Sequence, residues 1–225
     1  MLPLLVAGGV IGVGALATWL LSDSNPETIL EKNFVVLGNK LNENTKNEKL
    51  IGKKKILILG QPGAGKSSLL WSISDKKCNP KPNIGQNTDA TNWHKKEMTN
   101  EFFTFYKDEI FVDIPGYGTS NHPYDSYVKF FPFPLFDLTI FVVKDKIKEA
   151  DEKIMKHLRE VNKEDYSKNL LIVQTFSERK TDEDKKSLKK DMNKYFNAKE
   201  EGLDVIFASS RTKEGIDTIN YFINK

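Results

Sequence analysis

Cysteine is nearly absent from this chain of 225 residues, where Cys78 stands alone. No disulfide framework can form, which suits a reducing compartment. Arginine is scarce as well: Arg159, Arg179 and Arg211 are the only ones among 34 basic residues. Charge of one sign is missing too, because 31 acidic residues leave a net charge of only +3. That balance gives no ground for nucleic-acid binding, and none is expected. Long uncharged runs are absent except at the N-terminus. What is present is 39% hydrophobic and 11% aromatic residues, enough for a real core. The length suits one domain with an appendage.

The exceptional run is Met1 to Leu21. From Leu2 onward it is apolar or small except for Thr18. Such a stretch, wound as a helix, covers roughly 30 Å, the thickness of a bilayer core. Ala15-Leu16-Ala17 resembles a signal-cleavage site. Against cleavage, no Lys or Arg precedes the run, and it continues through Trp19-Leu20-Leu21. Residues 1–22 therefore read as an uncleaved, single-pass transmembrane anchor in the lipid bilayer. Lys32, Lys40, Lys46, Lys49 and Lys53 to Lys55 all follow it, which places the remaining chain in the cytoplasm. Gly8 and Gly12 form a G-x-x-x-G pair that could support self-association. Residues 23–52 read as a linker. Within it, Asn25-Pro26-Glu27 could open a short helix carrying Ile29, Leu30, Phe34 and Leu37, and Gly38 to Glu48 lacks apolar periodicity.

Residues 53–225 read as a single α/β domain. Its first strand, Ile56 to Leu59, runs into Gly60-Gln61-Pro62-Gly63-Ala64-Gly65-Lys66-Ser67, which spells G-x-x-x-x-G-K-S. A helical pattern beginning at Ser68 follows. Strand, glycine loop and helix in that order make a phosphate-binding loop. The glycines let backbone N–H groups converge on phosphates, and the helix N-terminus adds partial positive charge. Lys66 is placed to reach β- and γ-phosphates, and the Ser67 hydroxyl to ligand Mg²⁺.

Two further strands, Phe102 to Tyr106 and Ile110 to Asp113, are joined tightly enough to pair antiparallel. Strands at Leu138 to Val143, Leu170 to Gln174 and Val205 to Ala208 then alternate with helical stripes. Ile147, Ala150, Ile154, Leu158 and Val161 form one stripe; Leu188, Met192, Tyr195 and Phe196 a second; Ile216, Ile219 and Ile223 a third. This alternation predicts a three-layer fold around a mostly parallel six-stranded sheet with one antiparallel edge strand. At the end of the second of these strands, Asp113-Ile114-Pro115-Gly116 supplies an acid for Mg²⁺ and a glycine N–H for the γ-phosphate.

These motifs resemble the translation-factor-related P-loop GTPases of the Era-like and Ras-like group. The stretch Asp113 to Pro123, with Asp125, Tyr127 and Phe136-Asp137, resembles the immunity-related GTPases more closely. The resemblance covers about residues 55 to 225 and implies a Ras-like G domain that exchanges GTP and GDP with Mg²⁺. It also implies a switch threonine on the metal, for which Thr91 is the first choice and Thr88 the second. Lys66 and Thr91 are then the catalytic residues, and Ser67, Thr91 and Asp113 the metal residues. The guanine-reading N-K-x-D is replaced by Thr175-Phe176-Ser177-Glu178, with Glu178 as the acid and the Phe176 ring over the base. Ser209 and Ser210 stand where a backbone N–H meets the guanine carbonyl.

The chain departs from the family elsewhere. Tyr117 replaces the water-orienting glutamine, so hydrolysis is expected to be slow unless a partner activates it. His94 and His122 flank the switches. A helical or RNA-binding extra domain is not expected within these residues. Two rival functions follow from the departures: a nucleotide-binding scaffold without hydrolysis, and an ATP-binding variant.

Overall fold

Strand β1 (Lys54–Gly60) is apolar through Ile56, Leu57, Ile58 and Leu59 because both its faces are covered. Ile56 and Ile58 pack with Leu69, Ile73 and Ile219 on one side. Leu57 and Leu59 pack with Phe34, Tyr127, Leu158 and Phe196 on the other. The period of two along the strand thus divides the core into two layers. The computed structural model describes residues 28–43, 50–85, 93–99, 101–162 and 166–225. The expected anchor 1–22, with Gly8 and Gly12, and both switch candidates Thr88 and Thr91 lie outside them. No helix among the described residues is long and apolar enough to cross a membrane.

The remaining strands are β2 (Thr104–Tyr106), β3 (Glu109–Asp113), β4 (Leu138–Val143), β5 (Leu170–Gln174) and β6 (Asp204–Phe207). Their order across the sheet is β2-β3-β1-β4-β5-β6. Only β2 and β3 pair antiparallel; the other pairs are parallel. The expected α/β sheet with one antiparallel edge strand is the one observed. Helices α2 (Lys66–Ile73) and α6 (Ile216–Ile223) cover one face. Helices α1 (Ile29–Asn42), α3 (Tyr124–Phe130), α4 (Glu149–Asn162) and α5 (Asp182–Phe196) cover the other.

Two local expectations need correction. The stretch 23–52 is not a linker throughout, because α1 is part of the domain. Thr28 caps the helix in a reciprocal box with Glu31 (3.2 and 3.0 Å). Leu30, Phe34, Leu37 and Leu41 are all buried in the larger core. Each such side chain stabilises the packed helix by roughly 1.5–3 kcal/mol. The β2 strand is also shorter than its apolar run. Phe102 and Phe103 turn inward to an aromatic cluster with Trp93 and Phe105 rather than joining the ladder.

Candidate functional site

All five parallel strands point the same way, so the loops after their C-terminal ends gather on one edge. In open α/β sheets that edge carries the ligand crevice. Gly60 to Gly65 leave β1 there and enter α2 at Lys66. Gly65 sits at φ +87°, and a Cβ on it would come within 3.2 Å of the Phe176 ring. Only glycine meets both conditions without strain. Gly63 is exposed, Ala64 is buried, and Ser67 and Ser68 are half-buried in the first turn of α2.

The Lys66 ammonium curls back over the loop and donates to Gly60 O (2.9 Å) and Gln61 O (3.1 Å). Burial pulls its pKa down to about 8, with the Asp113 charge acting in the opposite direction. Ser67 Oγ donates to Asp113 Oδ2 at 2.5 Å. The other oxygen, Asp113 Oδ1, is buried without a hydrogen-bond partner. Burial pushes the Asp113 carboxyl up, opposed by Lys66 and by the Ser67 hydrogen bond. A hydroxyl, a carboxylate and an unused carboxylate oxygen form a donor set suited to a hard cation. Among the described residues no cluster of three or more His, Cys, Asp or Glu could hold a metal. A Mg²⁺ ion here would take its remaining ligands from phosphate, water and the expected switch threonine.

Gly116 closes against the P-loop: a Cβ there would lie 2.2 Å from Pro62 N. Asp113 and Gly116 are thus brought beside Ser67 and Pro62. Tyr117, which follows, does not face this space. It is 1% exposed and its hydroxyl donates to Asp151 Oδ1 at 2.5 Å. Burial, then the Asp151 charge, hold the phenol well above its ordinary pKa. Asp151 Oδ2 accepts from Gln61 Nε2 (2.6 Å) and from the Lys148 N–H (2.9 Å). One carboxylate therefore joins the P-loop, the segment after Asp113 and the start of α4. His122 is also buried, in a turn that its carbonyl closes by accepting from Gly118 N–H (2.9 Å). Its ring lies edge-on to His94 at 5.1 Å.

Two more strand ends meet beside the P-loop. Thr175 Oγ1 donates to Ala64 O at 2.7 Å, tying this loop to the P-loop. Phe176 adopts the left-handed conformation at φ +57°. Its ring lies against Gly65, with the Lys144 ammonium 5.2 Å and the Arg179 guanidinium 5.0 Å from its centroid. Glu178 follows in a single turn, Ser177–Arg179. Its Oε2 is buried without a partner, and Oε1 lies 3.7 Å from Arg179 Nε. Ser177 N–H donates to Ala208 O (3.1 Å), joining this loop to the one after β6. There Ser209 is fully buried, its Oγ accepting from the Arg211 and Thr212 N–H groups (3.2 and 3.0 Å). Its own N–H donates to Glu214 O at 3.0 Å. Ser209 therefore shapes the loop, and Ser210 follows it, half-buried.

Residues 55–196 match the family described as 50S ribosome-binding GTPase. The chain belongs to that family. This GTPase shares its fold with a probable GTP-binding protein, EngB, at TM-score 0.54 and 15% identity over 76% of this chain and 96% of that one. It is similarly matched by Toc33 from Arabidopsis thaliana, in a dimerization-deficient form. There the TM-score is 0.54 and identity 13%, over 88% of this chain and 91% of that one. The bacterial selenocysteine-specific elongation factor EF-Sec gives TM-score 0.51 and 14% identity; 77% of this chain aligns, but only 28% of the factor. At these identities the likeness is one of fold. No curated protein matches the sequence.

Two buried polar residues of this GTPase escaped the sequence reading, Asp151 beside the P-loop and Asn33 in α1. Each carried a signal, since each is polar and lies on an apolar helical stripe. Asp151 falls between Ile147 and Ile154, and Asn33 between Leu30 and Leu37.

Proposed function

We propose that this GTPase binds GTP with Mg²⁺, hydrolyses it slowly to GDP and acts as a membrane-anchored, nucleotide-dependent switch. The observation that carries the guanine reading is Glu178 Oε2, a buried carboxylate oxygen without a hydrogen-bond partner, two residues after Phe176. Guanine offers two N–H donors on one edge, and adenine does not. The carboxylate meets Arg179 through Oε1 alone, and a buried oxygen left without a donor is costly, so a ligand that supplies donors is favoured over one that does not. Phe176 gives the base a stacking face in place of a lysine stem. Thr175 and Ser210 hold the loop and offer the last N–H.

At the phosphate end, Lys66 neutralises the β- and γ-oxygens and the P-loop N–H groups orient them. Ser67 and Asp113, with Thr91 or Thr88 as the expected switch ligand, would hold Mg²⁺, which shields the charge that develops on the phosphates. Water attacks the γ-phosphorus in line while the bond to the β-bridging oxygen breaks. Slow turnover is argued from Tyr117. The side chain at the water-orienting position is held by Asp151 in the core, and no arginine lies in residues 60–67 or 85–91. The same observation favours a second reading, binding without hydrolysis. The narrower resemblance, to immunity-related GTPases, rests on Asp113 to Pro123 with Asp125, Tyr127 and Phe136-Asp137.

The test is a titration of the full-length protein with fluorescent GTP and ATP in Mg²⁺, followed by single-turnover release of phosphate. GTP should bind at least about 100-fold more tightly than ATP, and Glu178→Ala should shrink that ratio. Equal affinities for the two nucleotides overturn guanine specificity and leave the ATP-binding variant. Tight GTP binding without phosphate release establishes the scaffold reading instead.

A further inference from the structure

We infer that helix α1 reads the nucleotide state, with Asn33 as the residue that positions the segment behind the first switch. This rests on the GTPase reading above. Asn33 is 1% exposed, and its amide bonds one stretch of irregular backbone. Its Nδ2 donates to Trp93 O (2.7 Å) and Lys96 O (2.9 Å), and its Oδ1 accepts from the Met98 N–H (2.7 Å). Backbone groups outside helices and sheets need partners when buried, and here a neighbouring helix supplies three of them. The stretch begins just after Thr91 in the sequence.

The next residue of α1 reaches toward the second switch. Phe34 lies 6.1 Å from Trp93, 4.8 Å from Tyr127 and 5.0 Å from Phe131, centroid to centroid. Tyr127 belongs to α3, and its hydroxyl donates to Pro115 O at 2.7 Å, inside the Asp113-Gly116 turn. On the same helix, Ser126 Oγ donates to Glu31 Oε1 at 2.8 Å. A continuous path of contacts, Trp93 to Phe34 to Tyr127 to Pro115, therefore joins the exit of one switch to the turn of the other. It runs through a helix that lies outside the family match of residues 55–196. No phosphate or base residue sits on it.

Switch segments rearrange with the γ-phosphate. An element packed against both must have different contacts in the two states, and coupling of this kind is reciprocal. Restraint or displacement of α1 then changes the preference for triphosphate over diphosphate. A merely bracing helix would change stability and leave that preference alone.

The full-length protein is loaded with GDP or with a non-hydrolysable GTP analogue, both with Mg²⁺, and amide exchange is followed across residues 29–42. The expected result is a difference of about threefold or more between the two states in α1. In parallel, Asn33→Leu should keep GDP affinity within about twofold and weaken the analogue about tenfold. Asn33→Asp keeps the acceptor for Met98 but sets a carboxylate oxygen against the Trp93 and Lys96 carbonyls, and should weaken the analogue at least as much as Asn33→Leu. Equal exchange in α1 alongside differing exchange at 113–118 overturns the inference and makes α1 a brace. So does an equal loss of both affinities in the variants. The wild-type exchange decides the matter if the variants do not fold. Wild-type protein that binds neither nucleotide overturns the GTPase reading and this inference with it, which separates the two failures.

Discussion

Lys66 is held in the phosphate loop with its ammonium almost out of water, and this makes its charge conditional. Its pKa of about 8 is set by burial, against the pull of Asp113. Phosphate oxygens arriving around Nζ favour the charged form and raise the pKa again. The sign follows from linkage. Below about pH 7 the lysine is protonated before and after binding, and affinity is flat. Above about pH 8 the free protein has lost the proton that the complex holds. Binding then takes up a proton, and affinity falls by up to about tenfold per pH unit. Titrations of the full-length protein with labelled GDP from roughly pH 6.5 to 9 read this directly. Lys66→Arg, whose side chain stays charged throughout, should show a flat profile at whatever affinity it retains. Lys66→Ala should lose tight binding at every pH. A wild-type profile as flat as that of Lys66→Arg would contradict a neutralisable lysine at the phosphates.

At the scale of elements, the P-loop, the turn after β3 and the start of α4 meet at Asp151. Three donors, from Tyr117, Gln61 and Lys148, converge on its two oxygens. Asp151→Asn keeps the shape but replaces a charged acceptor by an amide with one acceptor oxygen, so that Gln61 and Lys148 share that oxygen and the Tyr117 hydroxyl must turn from donating to accepting. The expected cost is about 1–3 kcal/mol, seen as a lower urea midpoint with unchanged slope. An unchanged midpoint would mean the three bonds contribute nothing net. Why such contacts were illegible in the sequence is a matter of range. The phosphate loop is local chemistry: glycines, Lys66 and Ser67 occur at fixed spacing and carry their context in the flanking strand and helix. Asp113 was legible for the same reason. Asn33, and Asp151 apart from its bond to Lys148, act on partners tens of residues away, and nothing in a linear reading says which groups they will meet. A polar side chain on an apolar stripe was the available sign. In α1 the same stripe stood in a stretch otherwise rich in Asn, Lys and Glu. That composition pointed to a linker, and the burial of Leu30, Phe34, Leu37 and Leu41 overrode it. The base-reading loop was legible only through resemblance, since Thr175 and Glu178 mean little without the strand that ends at Gln174.

At the scale of the whole molecule, five parallel strands put the P-loop, the Asp113 turn and the loops after β5 and β6 on one edge, while α1 packs against Trp93 and α3. The chain that precedes α1 therefore bears on where and how the GTPase works. Residues 1–21 carry no charged side chain, and the flanking lysines all lie on the C-terminal side. We propose that this stretch anchors the protein with its GTPase domain in the cytoplasm. A charge at the centre of such a span raises its insertion free energy by about 2.5–3.5 kcal/mol. Gly12→Arg should accordingly move protein into the soluble fraction. Deletion of residues 1–22 should release a soluble domain that still binds nucleotide, because no P-loop residue and no residue of α1 is removed. Full-length, Gly12→Arg and truncated forms are fractionated, washed with carbonate, and the mature N-terminus is sequenced. Carbonate-resistant membrane association of the intact form alone, with Met1 or Leu2 retained, is the expected outcome. A mature chain beginning at Thr18 would show cleavage after Ala17. The domain would then lie on the far side of the membrane from cytosolic GTP, and the anchored switch would have to be abandoned.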